Sequence, residues 1–247
     1  MKGDFGMKEQ KKEMNGKCSF CNNIFSKSVM TRHLMGCKER KEVPISPVYS
    51  LKGTVKDRRV FHILVEGRYK PEYWMHLDIA ADITLKQIDK FLRDIWLECC
   101  GHLSSFHIND IEYHDVNDDM SDEPWPDLFG RRPKPRSTDI RIGAVLSPHQ
   151  KFSYEYDFGS TTHLTLKVLS VYEKDIKYKF IEILARNLPP NIVCEVCGKP
   201  ATFVCGECFY MDKGWLCDKC AEEHPCGEEM LLPVVNSPRV GVCAYGR

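Results

Sequence analysis

Apolar and polar residues alternate over Tyr73–Ala80, with Tyr73, Met75, Leu77 and Ile79 set against Trp74, His76 and Asp78. A period of two is the mark of a strand with one face toward a core. Val60–Glu66 and Leu103–Ile108 read as strands as well. Phe152–Phe158 alternates again, Phe152, Tyr154, Tyr156 and Phe158 against Ser153, Glu155 and Asp157, and Gly159 turns the chain. Leu164–Val171 returns with Leu164, Leu166 and Val168 on one face, and Lys179–Ala185 follows as another strand. Between the early and late strands the period changes. Leu85, Ile88, Leu92, Ile95, Trp96 and Cys99 share a helical face, Thr84 and Gln87 have capping-box spacing, and Gly101 can end the helix in a left-handed conformation. The expectation is an α+β fold: a mixed sheet with one long helix, flanked by two small zinc-binding modules.

Proline and cysteine placement divides the chain. Residues 1–17 form a charged lead, and 18–41 hold a compact Cys/His cluster. Pro44 and Pro47 mark a linker, 51–188 form the α+β domain, and Pro189–Pro190–Asn191 precede a cysteine-rich module over 192–247. Asp115–Ser137 reads as a loop, acidic first and then basic, long enough to act as a lid.

Net charge is zero, which argues against a chain-wide grip on nucleic acid. Its distribution is uneven. Residues 1–41 carry ten Lys/Arg against four Asp/Glu, whereas 190–247 carry five against eight. A phosphate-bearing partner should therefore meet the N-terminal end. Residues 2–17 lack the apolar stretch of a secretory signal, and no apolar run approaches the roughly 18 residues of a membrane span. The expected setting is cytoplasmic, without a membrane. In that setting thirteen cysteines favour metal over disulfides.

Cys18-x2-Cys21-x11-His33-x3-Cys37 has the spacing of one tetrahedral zinc site, its first pair on a knuckle and its second pair one helical turn apart. Phe25 and Met30 lie where a ββα finger keeps its small core. A unit of about 25 residues needs metal to fold. Lys27, Arg32, Lys38, Arg40 and Lys41 flank or follow the expected helix and are candidates for contacting DNA or RNA phosphates. One finger reads only about three base pairs, so such binding would have little sequence preference.

Cys194-x2-Cys197, Cys205-x2-Cys208 and Cys217-x2-Cys220 are three successive knuckle pairs, followed by His224, Cys226 and Cys243. These nine candidates exceed by one the eight that two tetrahedral ions need, so about three zinc ions per chain are expected in all. The ladder resembles the cross-braced B-box, MYND and RING modules. That resemblance implies Cys194, Cys197, Cys217 and Cys220 on one ion, and Cys205, Cys208, His224 and either Cys226 or Cys243 on the other. A sequential pairing of the first two pairs is the alternative. Four protein donors per ion leave no open coordination position, which is the mark of a structural site. The module's acidic residues favour a protein partner over nucleic acid.

Phe152–Gly159 followed by His163, with the upstream run Tyr73-Trp74, Thr84-Leu85, Gly101-His102-Leu103 and Phe106, is similar to the plasmid pRiA4b ORF-3-like family. The tail Pro233–Cys243 resembles the ends of its zinc-bearing members. The resemblance implies an α+β fold over about 55–185 and supplies no activity. The chain departs from the family pattern at Ser160-Thr161-Thr162 and at Glu98-Cys99-Cys100.

Two functional readings follow. One is a zinc-stabilised adaptor or regulator, contacting nucleic acid through the finger and a protein through the C-terminal module. The other is an enzyme acting on nucleic acid or a small molecule, with Asp157 and His163 as a carboxylate–imidazole pair and His102 nearby. No nucleophile motif or phosphate loop accompanies that pair, which favours the first reading.

Overall fold

A computed structural model of the chain describes residues 14–42, 49–51, 54–115 and 134–246. In chain order its elements begin with β1 (Asn15–Cys18), β2 (Ile24–Ser26), α1 (Lys27–Gly36), α2 (Lys38–Glu42) and β3 (Tyr49–Leu51). The middle region contributes β4 (Arg59–Gly67), β5 (Trp74–Ala80), α3 (Leu85–Leu92), β6 (Ser104–Ile108), β7 (Ile111–His114), β8 (Arg136–Ser137), α4 (Ile142–Val145), β9 (Lys151–Tyr156), β10 (Thr162–Glu173) and β11 (Lys179–Asn187). The C-terminal part holds β12 (Phe203–Cys205), β13 (Trp215–Leu216), α5 (Asp218–Glu222) and β14 (Leu231–Pro233). The acidic-to-basic stretch expected as a loop lies, from residue 116 to 133, outside the described residues.

One large sheet dominates, in the order β2-β1-β11-β5-β4-β10-β9-β6-β7-β8, with β3 also on β11. Its pairs are antiparallel except β7 with β8. One face packs on α3. Met75, Leu77 and Ile79 of β5 meet Leu85, Ile88, Phe91 and Leu92 there. The capping box forms as expected, with Gln87 N–H donating to Thr84 Oγ1 at 3.3 Å and Thr84 N–H to Gln87 Oε1 at 2.9 Å.

The expected single long helix is not present. Eight α-helical residues run into five of π-type, Arg93–Leu97, and the helix stops at Glu98. Gly101 does take a left-handed φ of 75°, but in the turn beyond the helix. The architecture is a strand-dominated mixed sheet with few helices.

The other face of β5 is covered as well. Alternation implied a solvated Trp74/His76/Asp78 side, yet all seven residues of β5 are buried. The N-terminal ββα unit covers that side. β1 joins the sheet through β11, pairing Gly16 with Asn187 and Cys18 with Ala185. Met30 and Leu34 of α1 pack on Trp74, Leu184 and Ala185. A bulge between Ile183 and Ala185 lets two consecutive residues of β11 face this unit. Arg40 then reaches Asp78 at 2.7 Å, and Tyr172 donates to the same carboxylate.

The C-terminal module has its own three-stranded sheet, β13-β12-β14, and Val204 and Leu232 join the main core. Beyond β14 the tail crosses the middle domain. Ser237 donates to the Trp96 carbonyl at 2.6 Å, Asn187 donates to the Asn236 side chain at 2.7 Å, and Val240 is buried. Among the described residues no helix is long and apolar enough to cross a membrane.

Candidate metal centres

All four N-terminal cluster residues, Cys18, Cys21, His33 and Cys37, converge, with ligand atoms within 4.8 Å of one another. Cys18 ends β1. Cys21 sits in the turn where Asn22 takes φ 61° and its N–H donates to the Cys18 carbonyl at 3.1 Å. His33 lies on the last turn of α1 and Cys37 is the extended residue just beyond its end, and Cys21 Sγ lies 3.3 Å from His33 Nε2. The Phe25 ring stacks on His33 with centroids 4.1 Å apart, which fixes the imidazole plane.

In the C-terminal module the first and third knuckles converge, and the second knuckle meets His224 and Cys226. Cys197 Sγ is 3.5 Å from Cys217 Sγ, and Cys208 Sγ is 3.6 Å from both Cys226 Sγ and His224 Nε2. Cys217 caps α5 and Cys220 lies in its only turn, so a short helix presents both sulfurs. Gly214 takes φ +92° and passes so close to the second knuckle that a Cβ would lie 2.8 Å from Cys208 Cβ. Only glycine meets both demands there.

Cys243 belongs to neither C-terminal group. It lies with Cys99, Cys100 and His102 in a fourth cluster whose ligand atoms are also within 4.8 Å of one another. Sequence reasoning used Cys99 as a helix-face residue and His102 as a catalytic candidate. The signal that pointed here was numerical: nine late candidates for eight coordination places left one over.

The donor sets suit a soft or borderline divalent cation bound by thiolate and imidazole. All thirteen cysteines are free thiols. Crowded sulfurs resist losing their protons together. Cys208 is pushed up to about 12 by the neighbouring Cys226 thiol and then by burial, and Cys220 up to about 12 by Cys217 and then burial. Cys37 rises to about 11, chiefly through burial. Others are already poised. Burial works against ionising Cys194, but backbone N–H bonds from Cys217, Cys197 and Val196 bring it down to about 6. A divalent cation among such thiols favours the thiolate form of every one.

The expected Asp157/His163 pair does not form. Asp157 Oδ2 accepts from Arg239 Nη2 at 2.7 Å and from Ser160 at 2.7 Å, and Oδ1 accepts from the Gly159 N–H at 3.0 Å. Burial opposes its ionisation, and the bonds from Ser160, Arg239 and Gly159 overcome that and hold the carboxyl far below the usual range. Such a group is a poor base at neutral pH. His163 instead faces Glu155, with Nδ1 3.2 Å from Oε1, and meets the edge of Tyr69. His102 is the imidazole near Asp157, with Nδ1 3.6 Å from Oδ1.

The basic residues of the N-terminal unit divide. Lys27 is paired with Glu66, and Arg40 with Asp78. Arg32 and Lys38 are exposed. The Lys41 side chain lies outside the described residues, although its backbone continues α2.

No curated protein matches the chain. A crystal structure of a protein of unknown function from Methanosarcina mazei Go1 is similar over 59% of this chain and 78% of that one, at 14% identity and a TM-score of 0.43. The family model for plasmid pRiA4b ORF-3-like protein matches residues 59–199, from the first residue of β4 through the first C-terminal knuckle. That span is more than half of the 247 residues and contains strands β4 to β11 of the large sheet, α3 and the Tyr-Asp-Phe-Gly turn, so this chain belongs to the plasmid pRiA4b ORF-3-like family.

Proposed function

We propose that this chain is a zinc-stabilised binding protein, not an enzyme, and that it engages a protein partner through its C-terminal module. The observation that carries this reading is the completeness of the clusters: each supplies four protein donors, so no coordination position is left for a substrate or a reactive water. The alternating Cys194/Cys197/Cys217/Cys220 and Cys205/Cys208/His224/Cys226 sets support two zinc ions that brace the C-terminal module. Around them Val196, Tyr210 and Met211 are 69%, 67% and 63% exposed, beside Glu195, Glu207 and Asp212. Apolar anchors with an acidic rim suit a basic segment of a protein and repel phosphate.

A nucleic-acid contact through the N-terminal unit is the second reading, favoured by the exposure of Arg32 and Lys38. With Lys27 and Arg40 already neutralised by carboxylates, the two candidates left exposed among the described residues, Arg32 and Lys38, predict a log–log salt slope of about −2. This is weak and non-specific, so the protein partner is preferred.

The test is elemental analysis of purified protein, followed by DNA and RNA anisotropy titrations over a salt series. Three or more zinc ions per chain support the reading. Fewer than two, or iron in their place, would refute it. A steep salt slope that Arg32→Ala with Lys38→Ala abolishes would replace the protein-partner reading with the nucleic-acid one.

A further inference from the structure

Cys100 and Cys243 are 143 residues apart in sequence, and their sulfurs lie 3.5 Å apart. We propose that Cys99, Cys100, His102 and Cys243 bind a further zinc ion in a closed site of three sulfurs and one nitrogen, which clamps the C-terminal tail onto the end of the core helix. The choice of zinc rests on the reading above; the position of the site does not.

The spacing fits an ion. Tetrahedral zinc with sulfur at about 2.3 Å and nitrogen at about 2.0 Å sets sulfurs about 3.8 Å apart and sulfur and nitrogen about 3.5 Å apart. Cys243 Sγ is 3.6 Å from His102 Nε2. The two C-terminal clusters repeat these separations, at 3.5 and 3.6 Å.

A supporting shell is also in place. His102 turns Nε2 to the sulfurs, and Asp157 Oδ1 lies 3.6 Å behind its Nδ1, on the side where metal-bound imidazoles commonly have a carboxylate. Tyr156 meets the same ring edge-on, centroids 5.7 Å apart. Three thiolates and one divalent cation leave one negative charge. Fully buried Arg239 lies against that charge, with Nη2 donating to Cys99 Sγ at 3.4 Å as well as to Asp157. Its Nη1 donates to the Ser160 carbonyl and to Thr162 Oγ1, at 3.1 and 3.0 Å. One buried guanidinium thus donates to two anions, the Asp157 carboxylate and, when it is ionised and metal-bound, the Cys99 thiolate.

The backbone is arranged to match. Gly101 at φ 75° reverses the chain between Cys100 and His102. Cys243 itself takes φ 55°, a left-handed conformation that non-glycine residues adopt at a cost and that marks functional sites. The tail that delivers Cys243 begins at β14, the last strand of the C-terminal module. The clamp therefore closes a ring from the core helix through the sheet and that module back to the helix end, and it fixes how the module is displayed.

Native mass spectrometry of the purified full-length chain counts the ions. Four zinc ions are expected in the wild type and three in Cys100→Ser and in Cys243→Ser. Both cysteines are exposed, so either change removes little buried surface. Amides of residues 236–246 should exchange at least tenfold faster in these variants. His102→Cys, which keeps four donors, should retain the fourth ion, whereas His102→Ala should lose it. An equal count in wild type and all variants overturns the clamp, and three ions in every case leaves the zinc-stabilised reading intact. Fewer than two zinc ions in the wild type overturns both.

Discussion

Gly16 tests whether the N-terminal unit is part of the sheet or an independent reader. Its φ is not left-handed, so a substitution there meets only space. A Cβ built on Gly16 would lie 2.4 Å from Trp74 Cη2, 2.5 Å from Trp74 Cζ2 and 2.6 Å from the Arg186 carbonyl oxygen. Ordinary carbon contacts are about 3.5–4.0 Å, so the ring must retreat by about 1 Å. It has nowhere to go. Trp74 is fully buried against Met30, Leu34 and Leu184, and the Arg186 carbonyl belongs to the β11 backbone. Gly16→Val should then cost about 1–3 kcal/mol by overpacking. For a chain of this size that corresponds to a loss of about 2–12 °C in Tm. On a free-standing hairpin the sign reverses, because valine suits a strand better than glycine does. Gly36→Ala, with nothing within 4 Å of the added carbon, is the control and should be neutral or stabilising. The assay is thermal unfolding of the metal-loaded chain, with amide exchange at Ser19 and Leu188. Those two N–H groups donate across the β1–β11 seam, to Leu184 and Asn15. A variant as stable as the wild type, with both amides equally protected, would refute the sheet-integrated unit.

Other perturbations follow from single contacts. Arg40→Ala leaves the Asp78 carboxylate buried without its cation and should cost about 3–5 kcal/mol in denaturant unfolding; a change under about 1 kcal/mol would show that the pair does not carry the docking of α2. Thr84→Ala removes the capping box of α3 and should cost about 1 kcal/mol, and an unchanged urea midpoint would contradict the cap. Burial holds His62 at about 4 and His76 at about 3, their rings sharing a hydrogen bond of 3.0 Å. The unfolded chain takes up protons on these imidazoles from about pH 6.5 downward while the folded one does not, so stability should fall as pH drops from about 6.5 toward about 4. Ring-proton NMR shifts that stay neutral at pH 5 would agree, and a midpoint near 6.5 in the folded protein would not.

Local signals sufficed for β4, β5, β6, β9, β10 and β11, the capped start of α3 and the knuckle spacing, because each depends on residues a few positions apart. Period two marks a strand whatever covers it, and two cysteines three apart on a knuckle meet at one ion in most folds. The same locality misled where a distant element intervened. The polar side of β5 reads as solvated because the alternation of Trp74, His76 and Asp78 contains no record of the unit that covers it. The helix reads as continuous to Gly101 because Ile95, Trp96 and Cys99 keep its period, although the π-type turn ends it at Leu97. Asp157 and His163, six residues apart across a turn, looked like partners, yet the carboxylate found Arg239, 82 positions away.

What the sequence determined by itself is therefore the central strands of the middle domain, the family and most of the cysteines and histidines that cluster. Which face each element buries, and which cysteines and histidines converge, was decided by the tertiary structure. Sheet order and the path of the tail are long-range choices, made by the burial of Met30, Trp74 and Val240 and by buried charges that must each find a partner. Cys243 shows the difference: its residue type announced a metal ligand, and only the return of the tail across Trp96 determined that its companions are Cys99, Cys100 and His102.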